Sequence, residues 1–274
     1  MATVLIRYSS LGDVVLAGAV AAALGDVWFL TLPRYHDVAR RMRGVVGVLA
    51  PGDPMPPGAR VIDLHNNLRS RLVRADRRVE RQDVRRRARV WLKTRPADPV
   101  VTRYARAAGV TPAQAPWLPP ARRGDALVIA PGAAHATKRW PGWQALAARW
   151  DGPVRAIGGP GEEAIVAAIG GVCEAGFEAT LAALDGAAVL AAGDTGLLHL
   201  GAAAGVPVVG VFGPTTSADG FFSHAGEAVE LPLACRPCSR FGGPRCPMGD
   251  HACLRDLSVD AVLAACRRVS GGCA

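Results

Sequence analysis

Apolar residues fall along this chain in two alternating rhythms: short runs of aliphatic and β-branched residues, and longer segments of small residues at helical spacing. Val4-Leu5-Ile6-Arg7 reads as a short buried strand, and the turn from Tyr8 to Asp13 opens a helix that runs to about Leu24. Val27–Leu32, Val45–Leu49 and Val61–Leu64 read as further strands, with a helix at Tyr35–Arg43. An arginine-rich segment and Val100–Ala108 then read as helices. The rhythm stops at Val110–Gly124, where four prolines and no periodicity mark a linker. It restarts with strand Ala126–Ala130, loop Pro131–Pro141, helix Trp143–Trp150, strand Val154–Ile157 and a helix from Glu162. Phe177–Leu184 reads as a helix and Ala187–Ala192 as a strand. Gly193–Thr215 follows as loop, helix, tight turn, buried strand and loop. Ser258–Val269 is a final amphipathic helix capped by Ser258.

Strand, glycine-containing loop and helix in repeated succession make the unit of a parallel α/β sheet. Two such series predict two Rossmann-like doubly wound sheets facing a cleft, with residues 1–122 as one domain and 123–274 as the other. Every loop considered below follows a strand and so belongs to the ligand side of its sheet. The first turn lacks G-x-G-x-x-G, which argues against a dinucleotide fingerprint.

Composition sharpens this picture in three places. The net charge of +9 is concentrated: Arg69–Arg89 holds ten arginines against Asp76, Glu80 and Asp83. As a helix, this segment would put Arg74, Arg78, Arg81, Arg85 and Arg89 on one face, either a solvated face or one meeting an anionic partner. No aromatic interleaves these arginines, which argues against nucleic acid. Met1–Arg7 lacks the pattern of a signal peptide, and neither Val14–Leu24 nor Leu197–Phe212 reads as a membrane span, so a soluble, cytoplasmic protein is expected. The seven cysteines, an odd number in a chain where no export signal is read, argue against a disulfide framework. Cys235-x2-Cys238-x7-Cys246-x6-Cys253 has the count and approximate spacing of a structural zinc site, with His251 as an alternative ligand; four reduced thiols fit it equally well.

Four stretches carry candidate chemistry. Thr195 or Asp194 can cap the helix that Gly196 opens, whose first-turn amides would attract an anion, phosphate above all; His199 lies one turn on. Asp13 follows Gly12 at the start of the first helix, where a carboxylate either complements the helix end or takes a proton from an attacking hydroxyl. In Ala130–Pro141, APGAAHATKRWP, Lys138 can neutralise a leaving diphosphate and Thr137 can hydrogen-bond to it. Gly158-Gly159-Pro160-Gly161-Glu162-Glu163 is a glycine loop with two candidate acidic contacts. A fifth stretch, Asp63–Ser70, reads as a strand end with an Asx turn or as a polar contact surface.

Taken together, RYSSLGDVVLA, DLHNNLRS, TKRWP, the glycine loop and GDTGLLHLGAAAGVPVVGVFGPT resemble the signatures of glycosyltransferase family 9, the heptosyltransferases of lipopolysaccharide core synthesis. The resemblance spans nearly the whole chain and implies a GT-B fold and an inverting transfer of heptose from ADP-heptose to an acidic Kdo/heptose acceptor. It implies Asp13 as the base. Lys138, Thr137, one of Glu162 and Glu163, Asp194, Thr195, Gly196 and His199 would lie on the donor, and Ser9, Ser10, Gly12, Asn67 and Arg69 on the acceptor side. That scheme requires no catalytic metal or cofactor. It makes the arginine-rich segment a surface for phosphorylated lipid at the inner membrane, with the protein peripheral there. Similar cysteine segments occur in part of the family. The chain is shorter than typical members before the linker, which leaves a nucleotide-binding relative with altered or lost acceptor activity as the alternative.

Overall fold

The computed structural model describes residues 1–80, 88, 90–93, 96–171, 173, 176–222 and 225–271. Two five-stranded sheets, parallel throughout, form its frame. The first has the order β3-β2-β1-β4-β5, from β1 (Thr3–Ile6), β2 (Val27–Leu30), β3 (Val45–Leu49), β4 (Arg60–Asp63) and β5 (Arg77–Arg78). The second has the order β10-β9-β8-β6-β7, from β6 (Arg123–Ala130), β7 (Val154–Ala156), β8 (Ala187–Gly193), β9 (Val208–Phe212) and β10 (Gly226–Glu230). The helices are α1 (Leu11–Leu24), α2 (His36–Arg40), α3 (Val100–Ala108), α4 (Trp143–Ala148), α5 (Glu163–Ala167), α6 (Phe177–Leu184), α7 (Gly196–Ala203), α8 (Ala252–Arg255) and α9 (Val259–Ser270).

The arginine-rich segment is the main departure from expectation. Arg77–Arg78 pairs with Ile62–Asp63 as an edge strand, so Arg74 and Arg78 do not share a helix face. The reason is local. Asp76 Oδ2 accepts a hydrogen bond from the Val61 amide, and Arg78 is ion-paired to the fully buried Asp63, which pins the segment to β4. Arg81, Arg85 and Arg89 lie outside the described residues.

Strand alternation sorts side chains between cores. Leu127, Ile129, Val189, Ala191, Val209 and Val211 face a core closed by α4 and α9. Val128, Ala130, Leu190, Ala192 and Val208 face the opposite way, into a core shared with the first sheet. That shared core also takes Leu5, Val14, Val15, Phe29, Ile62 and Leu64, so the two sheets are joined by one apolar interior. The other face of the first sheet buries Val4, Ile6, Tyr8, Leu30, Leu49 and Val61 under partly buried loop residues such as Leu32, Met55 and Val73.

The junction is made by α1 against α7. A Cβ on Gly12 would collide with the His199 ring, and one on Gly196 with Leu11, so the two helix starts approach closely because each carries glycine where they meet. The proline-rich linker reinforces the junction. Trp117 is buried; its Nε1 donates to Val15 O at 2.8 Å, and its backbone amide donates to Ala203 O. The linker is thus a wedge between α1 and α7, with Trp117 part of the shared core.

Candidate functional site

Asp13 stands at this junction, buried in the first turn of α1. Its Oδ1 accepts from Tyr104 Oη at 2.9 Å and pairs with Arg7 Nη2 at 2.6 Å. Its Oδ2 accepts from Ser10 Oγ at 2.9 Å and from the Ser10 amide at 3.3 Å. Burial pushes this carboxyl up, but Arg7, Ser10 and Tyr104 together outweigh burial and hold it below the usual carboxylate range. Asp13 is therefore anionic at neutral pH, and both its oxygens are occupied. Tyr104, on α3, is buried; burial first and then the Asp13 charge push its phenol well up, so it stays a donor.

A cavity of about 310 Å³ opens beside Asp13, lined by Arg7, His65, Asn66, Glu80, Arg103 and Tyr104 from the first half and by Phe221 and Arg240 from the second. It spans both halves. Two buried polar atoms on its wall, Arg7 Nε and His65 Nδ1, have no hydrogen-bond partner among the described residues. His65 is pushed down to about 4, by burial first and then by the Arg7 charge, and is neutral at physiological pH.

The predicted Asp63–Ser70 stretch divides by role. Asp63 accepts from the amides of His65 and Asn66 and from Ser70 Oγ, and pairs with Arg78. Asn66 donates to Val79 O, and Asn67 Oδ1 accepts from the Ser70 amide. These contacts build the loop and aim His65 and Asn66 at the cavity. Asn67 is not on the cavity wall, and Arg69 stacks its guanidinium over Tyr8, 5.4 Å from the ring centroid. Ser9, Ser10 and Gly12 also lie off the wall; Ser10 acts on Asp13 and Gly12 on His199.

The second half gathers its candidates at the ends of β6, β7 and β8. Lys138 Nζ pairs with Asp194 Oδ2 at 2.8 Å, and both side chains are largely buried. Thr195 precedes α7, and its Oγ1 is buried with no hydrogen-bond partner among the described residues. His199 is buried; burial lowers its pKa, while the charges of Asp194 and Asp13 act to raise it. Thr137 has a different employment: its hydroxyl donates to Gly243 O and accepts from Gly243 N, each at 2.8 Å. Glu162 and Glu163 separate cleanly. The Glu162 carboxylate lies over Gly132, beyond the end of β6, and accepts from the Gly159 amide at 2.8 Å. Glu163 is exposed and accepts from the Gly161 amide.

The cysteine segment folds across this region. Gly242 lies on the stem of Lys138, Gly243 holds Thr137, and His251 Nε2 is 2.7 Å from Thr137 O. The same segment brings Arg240 to the cavity of Asp13. Cys235, Cys238 and Cys246 are near enough to help raise the Cys253 thiol, which burial pushes up to about 11. Among the described residues, however, no three His, Cys, Asp or Glu side chains are gathered closely enough to hold a metal ion. The thiols suit zinc in type, but their arrangement here does not.

Two parallel sheets sharing a junction, with an anionic base candidate on one side and a cation beside a helix start on the other, define a GT-B type glycosyltransferase fold. Its shape is similar over 98% of this chain and 97% of the other to a glycosyl transferase family 9 structure from Veillonella parvula, with a TM-score of 0.70 at 17% identity. It is likewise similar to the ADP-heptose lipopolysaccharide heptosyltransferase II of E. coli, over 98% of each chain, with a TM-score of 0.67 at 16% identity. Lipooligosaccharide heptosyltransferase 2 of Campylobacter jejuni is 36% identical over 72 residues, which is 26% of this chain and 22% of that enzyme. The model of glycosyltransferase family 9 (heptosyltransferase) matches residues 98–240. The chain belongs to that family. No described helix is long and apolar enough to cross a membrane.

Proposed function

We propose that this protein transfers heptose, with inversion, from ADP-heptose to an acidic sugar of the lipopolysaccharide inner core. Residues 1–122 would form the acceptor domain and 123–274 the donor domain. The observation that carries this reading is the close approach of α1 and α7: a Cβ on Gly12, next to Asp13, would meet the His199 ring, and one on Gly196, next to Thr195, would meet Leu11. Base and leaving-group site would then share one junction.

In the reaction, the acceptor oxygen bonds to the anomeric carbon as the bond to the ADP oxygen breaks. The acceptor proton passes to Asp13, which exchanges one of its present donors for the incoming hydroxyl. Lys138 and the first-turn amides of α7, with the Thr195 hydroxyl, hold the negative charge that develops on ADP. Glu162, which reaches over Gly132, would meet the nucleoside. Arg7, Arg103 and Arg240 suit an acceptor bearing a carboxylate. Acceptors of this kind are carried on lipid, so the protein would work in the cytoplasm at the membrane surface. Nothing in the scheme calls for a catalytic metal or for nucleic acid. The cysteine segment would brace the Lys138 loop. A structural zinc ion there would require its thiols to draw together, and metal analysis finding well under one equivalent would remove it.

The test is release of ADP from ADP-heptose in the presence of a Kdo-bearing acceptor, with Asp13→Ala as control. Acceptor-dependent release abolished by the substitution is expected; full turnover by Asp13→Ala would make the base assignment wrong. The saturated carboxylate of Asp13 favours a second reading, a nucleotide-binding relative without transfer. Thermal stabilisation by ADP without any release of ADP from sugar donors would select it.

A further inference from the structure

The start of α3 belongs to the first half in sequence and is bonded to the second. The Ala97 amide donates to Ala218 O and the Val100 amide to Gly220 O, each at 2.8 Å. Val100 is buried in the core that both sheets share. Gly220 is buried too, and its φ of 81° lies in the left-handed region that favours glycine. A Cβ there would collide with the Asp98 carbonyl oxygen, so the loop lies flush against residues 97–100 because this position has no side chain.

The loop that receives α3 is itself held. Thr216 Oγ1 accepts from the Ala218 amide, and Ser217 Oγ donates to Glu230 Oε1 at 2.8 Å. Glu230 pairs with Arg236, whose guanidinium also donates to Gly213 O and Thr215 O just past β9. The loop lies within reach of the Lys138–Asp194 pair: burial first pushes the Asp219 carboxyl up, Arg240 lowers it, and the Asp194 charge adds to the rise. In the other direction, Tyr104 stands one turn beyond Val100 on the buried face of α3. Its Oη donates to Asp13 Oδ1 at 2.9 Å, and Arg7, the other partner of that oxygen, lies 5.5 Å from the centre of its ring. One helical turn is stiff, so where α3 starts fixes where Tyr104 points.

We infer that the loop 217–220 is a positioning element for Asp13: by docking the start of α3 it sets Tyr104 against the carboxylate, and so couples the second half to the base through α3. The inference rests on the transfer reaction proposed above, in which Asp13 is that base. Ser217 and Gly220 act through Tyr104 and have no part in the chemical step. Besides Tyr104, Asp13 is faced by Arg7 at the end of β1, Ser10 before α1, His65 beyond β4 and His199 on α7, with Glu80, Arg103 and Arg240 on the cavity wall. Of these only Arg103 also belongs to α3.

Gly220→Ala tests this, with Gly271→Ala as control: Gly271 has nearly the same φ, 80°, and open space where a Cβ would go. Ser217→Ala is a milder second variant that loosens the loop from β10 and adds no atom; should Gly220→Ala not fold, it carries both readouts. Hydrogen exchange, read without turnover, should become about tenfold faster over residues 97–108 in Gly220→Ala and stay unchanged there in Gly271→Ala. Loss of the Tyr104 donor raises the Asp13 pKa. The acidic limb of kcat/KM should therefore move up by about one pH unit in Gly220→Ala, and by less in Ser217→Ala. Adding Tyr104→Phe to Gly220→Ala should move it no further, since both remove the same hydrogen bond. Displacements that add, an unmoved limb beside faster exchange, or exchange that is equal in all the proteins would each overturn the inference. Faster exchange in the two loop variants, with no acceptor turned over by any of the proteins, would support the docking of α3 and sink the transfer reading alone.

Discussion

The two halves of this molecule are each a five-stranded parallel sheet, of different strand order, and build their strand-end surfaces from opposite materials. In the first half the surface is side chain. Asp13 is held by Arg7, Ser10 and Tyr104, and Asp63 by Ser70, Arg78 and two amides. In the second half the ends of β6, β7 and β8 are largely glycine and backbone: Gly132, Gly158, Gly159, Gly193 and Gly196, with the ion pair Lys138–Asp194. The difference fits the role proposed for each half. A diphosphate is met well by bare amides and one cation, because its charge is spread and its oxygens are many. An acceptor hydroxyl must be met by one carboxylate in one orientation, and orienting a buried charge takes a network around it.

If the first half is a preset network around one base, its largest vulnerability is that base. Asp13→Asn keeps the size of the side chain and removes the proton acceptor. We expect kcat to fall about 10³-fold with the donor KM little changed, within the usual reach of general base catalysis. Single-turnover kinetics would check this, and a loss confined to KM would show that Asp13 only shapes the junction.

The next prediction tests the boundary between the halves. Trp117→Ala should destabilise the fold by about 4 kcal/mol, because it empties a core position and removes the indole hydrogen bond to the Val15 carbonyl. Chemical denaturation should still show one transition, since the halves share an interior. Two resolved transitions would mean that the sheets fold as separate units and that the wedge only tethers them.

Trp117 also shows where sequence reading runs out. The strand and helix order was legible because glycine and proline punctuate it, and the motif loops were legible because each follows an apolar run. A proline-rich stretch without periodicity reads as a tether, yet the buried tryptophan inside it was the available signal, since so large an apolar ring rarely stays in water. Arg77–Arg78 was hidden because a two-residue edge strand has no period of its own, while arginines four apart mimic a helix face. Arg240 was invisible because only the fold-back of the cysteine segment brings it to the cavity. Tyr104 was findable: it lies on the apolar stripe of an amphipathic helix, and a buried phenol needs a partner. The choice between Glu162 and Glu163 needed coordinates, since both follow the same glycines.

On the donor side, Lys138→Ala should lower kcat about 10²-fold, as for loss of one preorganised charge stabiliser. It also leaves Asp194 without its cation, beside the path proposed for the diphosphate. Lys138→Ala/Asp194→Asn should therefore recover part of the donor affinity lost in the single variant, measured as ADP binding. Without recovery, the ion pair is a structural brace and the comparison between the halves weakens.

The smallest effect is the most diagnostic of how the first half works. Tyr104→Phe removes one donor from Asp13 Oδ1 and leaves Arg7 and Ser10 in place. The Asp13 carboxyl is held below its ordinary value in the folded protein, so the stability it contributes is present above its unfolded pKa and is lost as pH falls through the folded one. Removing a donor to the anion raises the folded pKa, narrows that contribution and moves the acidic limb of kcat/KM to higher pH. The Tyr104 phenol itself stays protonated well past neutrality, so its loss should leave the profile unchanged between about pH 7 and pH 9. We expect a limb displaced upward by about one pH unit, equivalent to about tenfold in activity at acidic pH. A uniform loss at every pH would make Tyr104 a packing residue, whereas a displaced limb with an intact plateau would show that it positions and poises the base.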